Sequence, residues 1–421
     1  MIGGRLVQRL LGGSAVLLVT ANVANVGHFA FHILMARMLG PEGYSALAAM
    51  IALVSVGYVL TEAAQTVMAR YTAIASGLGQ VRSLLTHGLR HGGRVAAGLT
   101  AAYLVVAIPL GPLLHVPYRI MALFALSFAS LPLIPVTRGV LLGLHRFGGF
   151  GFAMLAEVAV KLGIGVAAVK VGWGEMGAAG AVGLSLVAAF ASGFVPLRDL
   201  RRVPAEPAAA GDALAYGVPV LAITATVMAF YNVDVLLARA LFAPAVAGQY
   251  AVASLLGKGI LLGVMPIARV MFPHASGRDV DAATRRRVLV ATLGLLVACL
   301  APALALVASV PERIVRLAGG PGYEAAAGIA LAVTTGMALM AFSNTLLLFR
   351  LSQGAPRGWA ALPLLLLFEA AVLWASRGAL VSYALAMLFA NVGFLVASIG
   401  LFLQPPSRAG EPGGHRRLPA A

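Results

Sequence analysis

The sequence predicts an all-α, polytopic integral membrane protein of about 12 transmembrane helices, arranged as two parallel six-helix repeats. Three observations predict this: composition, the length of the apolar runs, and a motif that occurs twice. Of 421 residues, 61% are hydrophobic and 10% charged, with a mean hydropathy of +0.95; a soluble domain carries about 25% charged residues. Apolar runs of about 20 residues, enough to cross ~30 Å of hydrocarbon, cover most of the chain. Ala36-Arg37-Met38-Leu39, with Pro41 after it, returns as Ala238-Arg239-Ala240-Leu241, with Pro244 after it, 202 residues later. Val67-Met68 returns as Val270-Met271 at an offset of 203.

In chain order, spans are predicted at 13–35, 43–67, 94–114, 119–142, 150–171 and 177–197, then at 214–237, 247–271, 288–310, 323–349, 358–376 and 378–403. The first follows Arg5 and Arg9 but outruns the 7–15 residue apolar core of a signal peptide, and it carries the repeat. Between 68 and 93, Val81, Leu84, Leu85 and Leu89 alternate with Arg82 and Arg90, a pattern that suits either an amphipathic helix on the anionic inner leaflet or a solvated basic loop. Prolines 132, 135, 219, 266 and 363 fall in or at the start of spans, where each removes a helical hydrogen bond. An even number of spans per repeat makes the two copies parallel, related by an axis along the membrane normal. The predicted units are an N-terminal lobe at 1–203, a polar linker at 204–213 containing Pro204 and Pro207, a C-terminal lobe at 214–403 and a disordered tail at 404–421.

The net charge of +16 is read as a topology signal and not as a nucleic-acid footprint, because the arginines occupy short loops. Twenty Lys and Arg fall on the side of the N-terminus and seven on the other, with Lys161, Lys258 and Arg269 inside spans. The expected topology is multi-pass in the cell (cytoplasmic or inner) membrane with both termini cytoplasmic. The single cysteine, Cys299, rules out an intramolecular disulfide.

Polar residues inside the spans are few, and each needs a partner, water or a function. Asn22, Asn25, His28 and His32 share one face of the first span, and Ser55, Tyr58, Glu62 and Gln65 one face of the second. The repeat offset sets His32 against Asp234 and Ser55 against Lys258. If the lobes face each other across a cavity, His32, Glu62, Asp234 and Lys258 converge on it as titratable groups; the alternative is a set of interhelical hydrogen bonds. Glu157 and Lys161, at i and i+4, are expected to neutralise each other on one helix. Glu369 in the eleventh span is a weak counterpart of Glu157.

No metal site and no cofactor are expected. The pairs His28/His32 and His87/His91 have i, i+4 spacing but lack the Glu of a zincin. No GxxxxGK[ST] loop is present. Glu42, Glu175, Glu312 and Glu324 are scattered over short loops, without the clustered carboxylates of a membrane glycosyltransferase, so the chain is not expected to be an enzyme.

Residues 36–44, Ala-Arg-Met-Leu-Gly-Pro-Glu-Gly-Tyr, resemble the turn after the first helix of the polysaccharide and lipid-linked oligosaccharide flippases of the multidrug/oligosaccharidyl-lipid/polysaccharide (MOP) exporter superfamily. The segment Tyr231-Asn232-Val233-Asp234-Val235-Leu236-Leu237 resembles that family's stretch on the seventh helix, with Gly248-Gln249-Tyr250 following, and Gly143-Leu144-His145-Arg146-Phe147 is similar to its basic turn after the fourth helix. The chain departs from the pattern at Phe242-Ala243-Pro244-Ala245, where the second turn usually reads Gly-Pro-Glu. The resemblance implies a V-shaped bundle like that of the multidrug and toxin extrusion (MATE) transporters, which moves a lipid-linked saccharide between leaflets by alternating access. It implies a cationic lumen for a polyprenyl-diphosphate headgroup. Lys258 and Arg138 are the cations expected to meet that headgroup, with Asn22, Asn25, Tyr231 and Asn232 lining the lumen. Asp234, with His28, His32 and Glu62, is expected to serve a coupling ion, H+ or Na+. Expected partners are membrane lipids, the polyprenyl-diphosphate-linked saccharide and the coupling ion, with polysaccharide-assembly enzymes as a further candidate; no nucleic acid is expected. Rival readings are a MATE-type drug or metabolite exporter and a membrane-embedded polymerase or ligase.

Overall fold

A computed structural model of the protein describes residues 2–207, 214–276, 281–353 and 359–404. The described residues are predominantly helical and contain no strand, so the chain is an all-α polytopic membrane protein. The rest of the linker (208–213), the tail beyond Gln404, and Arg278, Arg357, Arg408, Arg416 and Arg417 of the topology count lie outside the described residues.

The first two predicted spans form one element, α1 (Ile2–Ile74), bent at Gly40. Gly40 has φ 66 and ψ −178, a conformation open to glycine and strained for other residues, and Pro41 then starts the second arm without needing a helical hydrogen bond. An expected loop is therefore a single-residue kink. The second expectation to change is the 68–93 segment. Residues 68–74 end α1, a three-residue link follows, and 78–93 form the first half of α2 (Leu78–Leu113), which at 36 residues is longer than the ~20 needed to cross. Its Val81 and Leu85 do not face lipid; they pack on Val136, Val140, Leu141, Leu197 and Leu200.

The fourth span divides into α3 (Tyr118–Ser130) and α4 (Ile134–Gly143), around the Pro132 and Pro135 positions where backbone donors are missing. Next come α5 (Phe147–Ala168), a π-helical turn (Val169–Trp173) and α6 (Gly174–Ser192), then a 3₁₀ helix (Val195–Arg202). The second half comprises α7 (Leu214–Leu241), α8 (Pro244–Ser276), α9 (Ala282–Ser309), α10 (Pro311–Gly319), α11 (Glu324–Ser352), α12 (Leu364–Ala375) and α13 (Leu380–Leu403). Among the described residues nine segments are long and apolar enough to cross a membrane. Two of them, Val19–Ile74 and Phe147–Ser192, are long enough to cross twice, and α12 adds a shorter apolar helix. Helix α10 matches no predicted span.

Helix α1 is the central element: it packs on α4, α5 and α6 on one side and on α7, α8 and α10 on the other. Helices α8, α9 and α13 gather around α11. One end of the bundle carries Gly40, the last turns of α2 and α7, and α10, and is called the Gly40 face below. The opposite end carries Arg70, the start of α2 and the 3₁₀ helix Val195–Arg202.

At that opposite end the chain leaving α6 is tied down. Arg146 donates two hydrogen bonds to the Asp199 carboxylate, at 2.7 and 2.5 Å. Arg82 donates to the Val203 carbonyl, and the Glu206 N–H donates to the Gly79 carbonyl at 3.1 Å. The hydrogen bond from Arg146, aided by its charge, holds the Asp199 carboxyl below the usual carboxylate range. A carboxylate with a depressed folded-state pKa adds stability above its unfolded value of about 3.9, which is lost as pH falls through the folded value. Because the pair is half-exposed, Asp199→Asn is expected to lower stability by less than about 1 kcal/mol at neutral pH. The gap to the wild type should narrow as pH falls below the unfolded value of about 3.9 and through the lower folded one. Thermal unfolding of both proteins across that range checks it; a gap that widens in acid would show that another group carries the effect.

Candidate functional site

Two buried charge clusters flank the contact between the halves. In the second half, Tyr250, Ser254 and Lys258 recur at four-residue steps along α8 and so form one stripe, which faces α7. The Tyr250 and Ser254 hydroxyls donate to Asp234 Oδ2 at 3.0 and 2.9 Å. Lys258 Nζ lies 3.6 Å from Asp234 Oδ1, donates to Asn232 Oδ1 at 3.5 Å and sits 5.7 Å from the Tyr231 ring centre. The Asn232 amide donates to the Met228 carbonyl at 2.8 Å, which fixes the side chain Lys258 meets. From α13, the Tyr383 hydroxyl donates to the Asp234 backbone carbonyl at 2.7 Å. Asp234 is 0% exposed, so its charge has lost water and is balanced by an ammonium and two hydroxyls. Glu369 on α12 is also 0% exposed and has no hydrogen-bond partner on either oxygen among the described residues; α12 packs on α7, the helix of Asp234.

In the first half the centre is Glu157 on α5. Arg138 of α4 donates to its Oε2 at 2.8 Å, and the Tyr58 hydroxyl, from the second arm of α1, donates to Oε1 at 2.9 Å. His28 Nε2 stands 3.8 Å from the same Oε1. Lys161, one turn on from Glu157, points its ammonium at His28 Nδ1, 3.1 Å away; with Nδ1 accepting, the ring proton belongs on Nε2, facing Glu157. Lys161 also lies 5.8 Å from the Phe31 ring centre. His32, one turn beyond His28, meets the Tyr44 hydroxyl at 3.2 Å. The first arm of α1 packs on α5, which carries Lys161, and meets α8 where Gly259, next to Lys258, lies against the Phe29 ring.

Two sequence expectations change here. Glu157 and Lys161 do not pair on one helix; each turns to a partner on another element, because a buried carboxylate gains more from a guanidinium and a phenol hydroxyl than from a flexible ammonium one turn away. Arg138, expected at a substrate headgroup, is buried at 7% exposure and engaged by Glu157. It is therefore not a loop cation either, which lowers the N-terminal side of the topology count by one.

Asp234, Lys258, Asn232 and Tyr231 are brought together around α7 and α8, and His28 and His32 join the first-half cluster. Asn22 and Asn25 are exposed on α1, nearer its N-terminus, and Glu62 is exposed on the second arm. Sequence reasoning did not place Glu369, Lys161, Tyr250 or Ser254 at the site. A lone carboxylate in an apolar run was the available signal for Glu369, and the four-residue spacing back from Lys258 was the signal for Tyr250 and Ser254.

No protein-family model matches the sequence, and no curated protein matches it. Solved structures do resemble the fold. An inward-facing conformation of a multidrug resistance MATE family transporter of the MOP superfamily superimposes with a TM-score of 0.67 at 13% identity, over 90% of this chain and 94% of that one. The lipid II flippase MurJ in an inward closed conformation gives 0.67 at 12% identity, over 92% and 89%. An outward-facing MATE family transporter gives 0.55 at 15% identity, over 94% and 93%. At these identities the likeness establishes the fold.

Proposed function

We propose that this chain, whose fold is that of MOP-superfamily transporters, is a flippase that moves a lipid-linked oligosaccharide or polysaccharide precursor across the cytoplasmic membrane by alternating access, coupled to H+ or Na+. One observation carries the reading: buried cations from both halves, Lys161 at His28 and Lys258 at Asp234, sit on α5 and α8, which both pack on α1, with Gly259 of α8 against the Phe29 ring. A seam of this charge suits a phosphate-bearing headgroup. In this reading Lys258 and Lys161 meet the headgroup, Tyr231 and Asn232 line its path, and Asn22 and Asn25 lie on its route from the cytoplasmic side. Asp234, with Glu369 beside it, carries the coupling ion. Glu369, buried with both oxygens unsatisfied, is suited to exchanging a proton or holding a cation with Asp234. The positive-inside count makes the Gly40 face the outer one. The equal likeness to a multidrug MATE transporter supports a second reading, a drug or metabolite exporter, which the cationic seam disfavours for cationic drugs.

The test is transbilayer movement of a labelled polyprenyl-diphosphate oligosaccharide in proteoliposomes, with imposed H+ or Na+ gradients. Wild type should move it faster under one gradient, and Asp234→Asn and Lys258→Ala should each lower the rate at least about tenfold, the scale of one lost charge-assisted contact. Folded wild type that moves nothing under either gradient would sink the flippase reading and favour the exporter.

A further inference from the structure

The repeated Ala-Arg-x-Leu turn plays no part in the charge clusters, yet both copies make contacts across the halves. On the Gly40 face, Arg37 at the end of the first arm of α1 donates to the Leu317 carbonyl at 2.6 Å and reaches the Arg316 carbonyl at 3.5 Å. Both acceptors lie in the last turn of α10. Arg239 at the end of α7 donates to the Leu114 and His115 carbonyls, each at 2.8 Å, just past the end of α2. Arg37 and Arg239 are 202 residues apart; so are Leu114 and Arg316, and so are His115 and Leu317. The same contact is made twice, in the same register and in opposite directions. Each guanidinium caps a helix C-terminus, where orphan carbonyls and the helix dipole favour a cation; of the four acceptors, the Arg316 carbonyl also accepts from the Gly320 N–H at 2.9 Å.

The surrounding packing tightens the same seam. Arg239 also donates to Ser45 Oγ at 2.6 Å, Ser45 Oγ lies 3.0 Å from the Pro244 carbonyl and 2.7 Å from the Glu42 carbonyl, between which its one proton is shared, and the Tyr323 hydroxyl donates to the Ala36 carbonyl at 3.0 Å. Gly248 approaches the Pro41 carbonyl so closely that a Cβ there would overlap it. These contacts can exist only while the two halves are together at this end. At the opposite side of the seam, His28 keeps 32% of its side chain exposed.

We propose that Arg37 and Arg239 form a reciprocal two-part latch that holds the Gly40 face shut, and that the repeated turn exists in two copies because each half must cap the other. Opening that face breaks both caps and hands the carbonyls and guanidiniums to water, so the latch sets how often the open state is visited. The inference rests on the alternating-access reading only for what lies beyond the closed state, and its readout needs no substrate.

The test places spin labels at Tyr118→Cys and Glu312→Cys, exposed positions in opposite halves on the Gly40 face, in a Cys299→Ser background, and measures their distance distribution in lipid nanodiscs. The parent should be dominated by one short distance. Arg37→Gln and Arg239→Gln should each raise the ratio of long to short distances at least about tenfold, while Arg313→Gln, an exposed arginine on α10 outside the repeated contact, should not. Arg37 is exposed, so its variant remains informative if loss of the buried Arg239 prevents folding. An unchanged distribution in folded Arg37→Gln, or an equal shift in Arg313→Gln, would overturn the latch. A latch that responds as expected in a protein that flips no saccharide would stand apart from the substrate assignment.

Discussion

Asp234→Ala is expected to lower the unfolding free energy by about 3–5 kcal/mol, the range for removing one member of a buried ion pair. The substitution strands the Lys258 ammonium, whose side chain is 16% exposed, and leaves the Tyr250 and Ser254 hydroxyls without their acceptor. Each stranded buried donor adds to the cost. Asp234→Asn combined with Lys258→Met removes both charges and keeps an acceptor for the hydroxyls. That double variant should regain most of the lost stability, because replacing both ends of a buried pair is often close to neutral. Thermal unfolding in detergent measures the stabilities, and the proteoliposome assay measures transport. Recovery of folding without recovery of transport is expected if the pair serves ion and headgroup. A double variant that flips at the wild-type rate would make the pair a structural device.

Much of the fold could be read from the chain because the bilayer permits little else: a long apolar run without charge has to be a helix. The failures have a common physical cause. The spans expected at 13–35 and 43–67 leave a turn between them, but a single residue at positive φ, Gly40, turns the chain without ending the helical path. The 68–93 segment suits either a helix on the leaflet or a solvated loop because periodicity shows that a face is apolar and not what covers it; the cover is protein, supplied by α4 and by the 3₁₀ helix that follows α6.

The site was legible by residue type more than by pairing. Asp234 and Lys258 lie on adjacent helices, and the repeat offset drew attention to both. Glu157 was assigned to its nearest neighbour in sequence, whereas its ion-pair partner lies 19 residues away on α4. Partner choice among buried charges depends on which helices touch, and that follows from packing across the bundle. Glu369 shows the same limit: nothing in its flanking residues reveals that α12 packs on α7, the helix of Asp234.

The Arg138–Glu157 pair separates structure from transport in the first half. Glu157→Ala should destabilise the protein about as much as Asp234→Ala, about 3–5 kcal/mol. It strands a guanidinium that is 7% exposed, whose Nε has no hydrogen-bond partner and whose remaining contacts are the Ala153 carbonyl at 3.4 Å and the Phe150 ring at 6.0 Å. Arg138→Met with Glu157→Gln removes both charges at similar volume and leaves an amide to accept from Tyr58. Stability should largely return, and so should transport, because Lys161 still reaches His28 and the Lys258 side of the seam is untouched. The contrast with the Asp234 and Lys258 double variant is the informative quantity: both should fold, and only the first-half variant should flip. If the Arg138 and Glu157 double variant folds and fails to flip, Arg138 returns to the headgroup role expected from the sequence. The closed state described here would then be one in which Glu157 holds that arginine in reserve.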